Sequence, residues 1–213
     1  NSKTYGTVGK SINNYLNLNI KKNESIKELK VNKIWPGCMI NIINGNEVWK
    51  KYWDNNGNFN LFDLGKFDKN SCLIIKGRSD DVINIRGHRI GSEEIESLLI
   101  SIKNISEVSV VSIKDYIEGS KIVVFLCAKT KNKSKISSQI NNTIYKNFGS
   151  FALPKQIIFL SSLPKTRSGK IIRRIMRELY ENPKKKLNNL STMINRNIIY
   201  EIKEKLLNTK KDF

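Results

Sequence analysis

The second half of the chain alternates short apolar bursts with one periodic stretch, and few folds accept that order. Residues 108–113 and 122–128 are compact apolar runs that read as buried strands. Residues 137–148 place Ile140, Ile144 and Phe148 on one side of a helix, and 156–160 give another short strand. Strand, helix and strand in this alternation fit a compact α+β domain from about residue 81 to residue 180.

That alternation leads into the sharpest local signal, residues 163–174. Pro164 ends what precedes it, Ser168-Gly169 permits a tight turn, and Lys170 is delivered on a short loop just before an amphipathic helix. Ile171, Ile172, Ile175 and Leu179 recur at helical spacing, while Arg173, Arg174 and Arg177 take other faces. A flexible lysine on a firm base suits phosphate chemistry. An isolated Ser-Gly-Lys is more often an ordinary basic surface turn, so the longer string has to carry the argument.

A second patterned stretch stands upstream. Residues 77–91 form a glycine-punctuated hairpin, and Ser92 is placed to cap a following helix whose early glutamates, Glu93 and Glu94, complement its dipole. Ile95, Leu98, Leu99 and Ile102 make one buried stripe on that helix. Before it, 59–67 and 72–75 read as strands joined by a turn at 68–71, and the apolar bursts at Val48-Trp49 and Tyr52-Trp53 read as short strands and hairpins. The three tryptophans fit packing of a small β unit better than an aromatic ligand platform. Residues 1–33 carry no readable motif.

The formal charge is +19, which attracts polyanions such as nucleic acid, a membrane surface or phosphorylated small molecules. Much of it is lysine scattered among asparagine in runs such as 129–135, so charge alone selects none of these. Aromatic residues are not interleaved with the basic ones in a nucleic-acid-binding pattern. Cys38, Cys72 and Cys127 are widely separated, which suggests neither a disulfide frame nor a zinc site and fits a reducing compartment. No apolar run approaches the roughly 18 residues of a membrane span. A lysine cluster after Asn182-Pro183 precedes Leu190, Ile194, Ile198, Ile202 and Leu206, which read as one further amphipathic helix, packed or frayed rather than membrane-bound.

Pro164-Lys165-Thr166-Arg167-Ser168-Gly169-Lys170 followed by Arg173-Arg174 resembles the C-terminal lysine motif of the adenylate-forming enzymes, and its wording resembles acetyl-CoA synthetases. The hairpin with Gly87-His88-Arg89-Ile90 resembles the same superfamily and is closer in wording to its short-chain acyl-CoA synthetases. The resemblance implies a catalytic role for Lys170, a hinge at Asp80, a ribose contact from Arg78 and a phosphate contact from Arg89. It further implies a ribose-binding role for Asp63 and close approach of the pantetheine arm of CoA at Gly87, and beside them Arg86 either contacts a CoA phosphate or is merely tolerated. The sequence departs from the family in three places. Leu61-Phe62 stand where relatives have a small residue and glycine, Arg86 replaces a small residue, and Tyr145 replaces a CoA-binding arginine, with Lys146 as a candidate substitute. His88, the only histidine, has no nearby nucleophile or metal partner in sequence and reads as structural.

By this resemblance residues 1–79 would close a large AMP-binding domain as a β-rich unit, 80–182 would form a mobile C-terminal α+β domain, and 183–213 a basic helical extension. The opening at Asn1 rather than methionine fits a piece of a longer polypeptide. The implied activity is that of an AMP-forming acetate–CoA ligase using ATP, CoA, acetate and Mg²⁺, with the isolated chain inactive. Propionate or another short-chain acid, a non-catalytic remnant, and a basic nucleic-acid-binding module are the alternatives. The missing N-terminal domain is the expected partner, and acetylation at Lys170 by an acetyltransferase, reversed by a deacetylase, is implied as control. Membrane contact is not expected. The expected location is the cytoplasm, with a nuclear share left open.

Overall fold

The computed structural model describes residues 7–8, 18–20, 25–32, 34–79, 81–130, 132–188 and 190–209. The chain divides into two units, Asn1–Val82 and Ile83–Phe213.

In the first unit, strands β1 (Lys27–Val31), β2 (Phe59–Phe67) and β3 (Leu73–Arg78) form an antiparallel sheet in that order. The turn between β2 and β3 is held by Asp68, whose Oδ1 accepts from the backbone of Asn70 and Cys72. The segment with Val48-Trp49 and Tyr52, expected to give short strands and hairpins, is instead helix α1 (Asn46–Tyr52). Two features favour the helix. Glu47 lies in its first turn and Lys50 and Lys51 in its last, complementing the dipole, and Trp49 and Trp53, four residues apart, meet with ring centroids 5.6 Å apart. Trp35, Tyr52 and Trp53 surround Phe59 at 5.1–5.3 Å, so these aromatic rings make a packed cluster.

In the second unit, β6 (Ile105–Asp115), β7 (Gly119–Ala128) and β8 (Gln156–Phe159) form a sheet in that order, β6 and β7 antiparallel, β7 and β8 parallel. β7 is apolar on both faces because both are covered. Ile122, Val124 and Leu126 face one cluster with α2 (Ser92–Leu99), α3 (Lys133–Phe148) and the hairpin β4 (Val82–Ile85) and β5 (His88–Gly91). Val123, Phe125 and Cys127 face another with α4 (Arg173–Glu181) and α5 (Ile198–Thr209). The parallel pairing of β7 and β8 follows from α3, which returns the chain to the same end of the sheet. On α3 the fully buried residues are Ile136, Ile140 and Ile144, with Phe148 packed partly against them.

Two local expectations change. Ser92 does not cap α2: Gly91 is the capping residue, and the Ser92 hydroxyl is buried without a hydrogen-bond partner among the described residues. The apolar spacing 190–206 is not one helix. Only Ile198, Ile202 and Leu206 belong to α5, whereas Leu190 opens a turn that leads to Met193 in a β-bridge, both packed on the same core, and Ile194 is exposed.

Candidate functional site

The lysine loop is a hairpin closed on itself and fixed along one edge. Lys165 and Ile171 pair across it, Thr166 N donates to Lys170 O at 2.9 Å, and Gly169 N donates to Thr166 O at 2.9 Å. Gly169 sits at φ +81, a conformation in which a side chain is strained. The Thr166 hydroxyl accepts from Lys170 N at 3.1 Å and lies 3.0 Å from the Ser168 hydroxyl, so the turn is cross-linked internally. Behind it, Pro164 O accepts from Ile172 N at 2.8 Å, and α4 begins at Arg173 with Ile175, Met176 and Leu179 buried.

The two lysines of the motif have different situations. Lys165 Nζ is 2.5 Å from Glu107 Oε1, and the other oxygen of Glu107 accepts from Leu163 N at 3.3 Å. Lys170 is exposed, and its ammonium makes no hydrogen bond or ion pair among the described residues. The charge of Lys165 is thereby spent on the fold, and that of Lys170 is presented outward. Cys127, also beside Glu107, has its thiol pushed up to about 12, first by burial and then by that carboxylate, so it is a structural thiol rather than a nucleophile.

α4 is braced to α2 by a second, half-buried carboxylate. Glu96 Oε1 accepts from Val110 N at 2.7 Å, Ser109 Oγ at 3.3 Å and Arg173 Nε at 3.2 Å, while Oε2 accepts from Arg173 Nη2 at 2.6 Å. The fork geometry of arginine makes this bidentate contact possible. Arg173 and Glu96 are 77 positions apart, so no sequence pattern announces the pair.

Arg86, Gly87 and Arg89 lie together on the β4–β5 hairpin. Arg86 and Gly87 form its two-residue connection with φ of +49 and +84, the twist that two-residue hairpins require. A Cβ on Gly87 would meet no atom within 4 Å, so the space above it is open. Arg86 accordingly holds a conformation unusual for a side-chain-bearing residue and is anchored there. Its N–H donates to Glu118 O at 3.0 Å and its guanidinium to Glu118 Oε1 at 2.5 Å. The β6–β7 turn that offers Glu118 is itself fixed by Asp115, whose carboxyl is lowered to about 2 by hydrogen bonds from Lys121 first and then from Glu118 N. Arg89 is exposed, as are Tyr145 and Lys146 on α3. His88 lies stacked on Phe151 at 4.1 Å, an aromatic contact and not a catalytic pairing.

Asp63 and Arg78 belong to the first unit, directly opposite one another on β2 and β3, with Arg78 Nη1 3.4 Å from Asp63 Oδ1. Phe62 takes φ +57, the left-handed conformation that glycine adopts without strain. Its ring is kept by Tyr52 at 5.2 Å and by the Arg78 guanidinium 5.8 Å from the ring centroid. Asp80 lies outside the described residues. Among the described residues no group of three or more His, Cys, Asp or Glu side chains could hold a metal ion, and no helix is long and apolar enough to cross a membrane.

The sheet with helices on both faces, carrying a pinned lysine hairpin and a glycine-tipped hairpin, defines an α+β domain. Residues 94–170 match the family model described as the AMP-binding enzyme C-terminal domain. Residues 94–170 of the chain thus carry that domain. The relatives it resembles in sequence are acetyl-CoA synthetases. That of Chlorobaculum tepidum is 38% identical over 155 residues, covering 71% of this chain and 24% of the relative. That of Bartonella bacilliformis is 37% identical over 185 residues, covering 85% and 28%. The chain therefore spans about a quarter of the length of the curated relatives it matches. Among solved structures, ATP-bound MatB from Rhodopseudomonas palustris superposes with a TM-score of 0.69 at 22% identity, covering 84% of this chain and 37% of that one. Acetoacetyl-CoA synthetase from Streptomyces lividans gives 0.68 at 19%, covering 87% and 29%. Both likenesses are of fold.

Proposed function

We propose that this chain acts as the C-terminal part of an AMP-forming acetate–CoA ligase, which joins acetate to CoA at the expense of ATP and releases AMP and pyrophosphate. The observation that carries the reading is the contrast between the two motif lysines: Lys165 is neutralised by Glu107, and Lys170, which closes a rigid turn, stands exposed with its ammonium unpaired among the described residues. The relatives that share this stretch are named acetyl-CoA synthetases, and acetate as substrate is taken from those names.

In the first half-reaction the acetate oxygen attacks the α-phosphorus of ATP and pyrophosphate leaves. Negative charge builds on the phosphoryl oxygens, and the Lys170 ammonium lies beside them and stabilises it. Loss of a comparable preorganised donor costs about 10²–10³ in rate. In the second half-reaction the CoA thiol attacks the adenylate carbonyl and AMP leaves. Gly87, with open space where a side chain would stand, lets the pantetheine arm pass close to the backbone. Arg86 and Arg89 offer guanidinium groups to phosphates, Arg86 after exchanging its contact with Glu118. Asp63, paired with Arg78, offers its carboxylate to the two ribose hydroxyls. Asp80 is the proposed pivot between the two half-reactions, and movement about it gates the chemistry.

Mg²⁺ enters in this reading as part of the substrate, carried on the ATP phosphates, because the described side chains form no metal cluster of their own. Acetylation of Lys170 would abolish its charge and serve as an off-switch. A reducing cytoplasmic setting accords with three free cysteines. The test is product formation. The full-length protein carrying this chain is expected to make acetyl-CoA, AMP and pyrophosphate in equal amounts from ATP, acetate and CoA, and residues 1–213 alone to make none. AMP formation that does not depend on acetate or another short-chain acid would overturn the reading.

A further inference from the structure

We propose that Asn195, 25 positions beyond Lys170, is a positioning residue for adenylation, holding the lysine loop at its base through its side-chain amide. The inference rests on the reading of Lys170 given above. It arises from the segment that was expected to be helical and is extended.

Residues 192–195 run along the outer edge of the lysine hairpin as a third strand. Thr166 and Met193 form an antiparallel bridge, Arg167 N donates to Thr192 O at 3.1 Å, and Ile194 N donates to Lys165 O at 3.1 Å. Met193 is 4% exposed and sits in the same core as Ile175, Met176 and Leu179 of α4, so this strand is fixed from beneath. Asn195 ends it. Its Oδ1 accepts from Lys165 N at 3.0 Å, and its Nδ2 donates to Leu163 O at 2.7 Å and to Ser162 Oγ at 3.0 Å.

This amide solves a specific problem. Pro164 interrupts the backbone at the point where the loop leaves the sheet, and proline has no N–H to offer a neighbouring strand. Leu163 O and Lys165 N, on either side of it, point the same way and need one group that both donates and accepts. A side-chain amide is such a group, with donor and acceptor set side by side on separate atoms, whereas an ionised carboxylate only accepts. With Asn195 in place every polar backbone atom from Leu163 to Lys165 is paired: Leu163 N with Glu107, Leu163 O and Lys165 N with Asn195, Pro164 O with Ile172 N, and Lys165 O with Ile194 N. The loop tip is then rigid, while the ammonium of Lys170 extends beyond it.

A tip held this way fixes where the ammonium lies relative to the α-phosphate, and a displacement of about 1 Å in such a group costs on the order of 10²-fold in rate. In the reading given above the loop acts at the α-phosphate, in the first half-reaction, and not on the CoA thiol. Loss of Asn195 is therefore felt in one half-reaction only, which separates positioning from general support of the fold.

The experiment is made in the full-length protein carrying this chain, with Asn195→Ala, Asn195→Asp and the control Tyr200→Phe, whose side chain is exposed on α5. Acetate-dependent ATP–pyrophosphate exchange reports adenylation, and acetyl-CoA formation from supplied acetyl-adenylate reports the second half. Asn195→Ala is expected to lower exchange about 10- to 100-fold, with thioester formation within about twofold. Asn195→Asp keeps the bond from Lys165 N but sets an oxygen against Leu163 O, and its exchange should fall between the two. Tyr200→Phe should match the parent. In the 213-residue chain, amide exchange at Lys165 and Arg167 should quicken in Asn195→Ala while that of β7 does not. Equal loss in both half-reactions would make Asn195 merely structural and overturn the proposal, as would unchanged exchange. If Asn195→Ala does not fold, Asn195→Asp is judged by the same two criteria. Lys170→Ala run alongside separates the failures. Full exchange in Lys170→Ala sinks the reading of Lys170 itself, whereas its loss together with normal exchange in Asn195→Ala sinks only the positioning role.

Discussion

Replacing Arg173 by Met tests whether the brace between α2 and α4 holds the second unit together. The side chains of Arg173 and Glu96 are 19% and 14% exposed, which sets the pair between a surface ion pair, worth about 0–1 kcal/mol, and a fully buried one, whose rupture costs about 3–5 kcal/mol. Methionine preserves most of the apolar stem of arginine, so the change removes the charge and with it the hydrogen bonds to Glu96. Glu96 would keep Val110 N and Ser109 Oγ as donors, which tempers the penalty of leaving its carboxylate without a cation. About 2–3 kcal/mol of lost stability follows. Urea unfolding followed by circular dichroism measures it, with the midpoint moving down by roughly 1 M for an m-value near 2 kcal/mol/M. Glu96→Gln in the Arg173→Met background should recover part of the loss, because no uncompensated charge then remains, giving a coupling of about 1–2 kcal/mol. A loss below about 0.5 kcal/mol, or strictly additive single changes, would refute the reasoning and place the pair among solvated surface contacts.

Two further outcomes separate backbone geometry and chemistry elsewhere in the chain. A Cβ at Gly169 meets nothing within 4 Å, so Gly169→Ala costs only the strain of φ +81, about 1–2 kcal/mol; at Gly65 a Cβ would lie 2.9 Å from Ile74 O, and Gly65→Ala should be the more damaging in urea unfolding. The opposite ranking would contradict the geometry. Cys127, pushed up to about 12, stays a thiol at pH 8 and should resist alkylation under conditions that label the half-buried Cys38, as read by mass spectrometry. Because its folded value lies above the ordinary 9.0, the associated stability is complete below pH 9 and is lost as pH rises toward 12. Labelling of Cys127 at the rate of Cys38 would count against its burial.

How much of this was readable beforehand depends on the range of the interaction. Strand β2 falls on the residues expected for it, and β6, β7 and α3 extend the expected segments by a few positions, because apolar runs and their periods are local properties. The hairpin around Gly87 and the turn before Lys170 were legible for the same reason: glycine marks the positive-φ positions. α1 was missed because Val48-Trp49 and Tyr52-Trp53 look like strand residues in isolation, and only the spacing of four between the two tryptophans betrays a helix. Leu190, Ile194 and Ile198 mimic helical spacing, yet Leu190 lies in a local turn closed by Met193 N, and Ile194 pairs with Lys165, 29 positions earlier. Glu96, Glu107 and Asn195, which brace the candidate site, act across 30 to 77 positions, and nothing near them in sequence signals their roles.

The most direct test of the whole account is Lys170→Ala in the full-length protein, with the two half-reactions measured separately. The account predicts that acetate-dependent ATP–pyrophosphate exchange falls by at least about 10²-fold, since one preorganised cation has been removed from the developing phosphoryl charge. Acetyl-CoA formation from supplied acetyl-adenylate should stay near the parent rate. Equal loss in both halves, or exchange that survives without the ammonium, would contradict it.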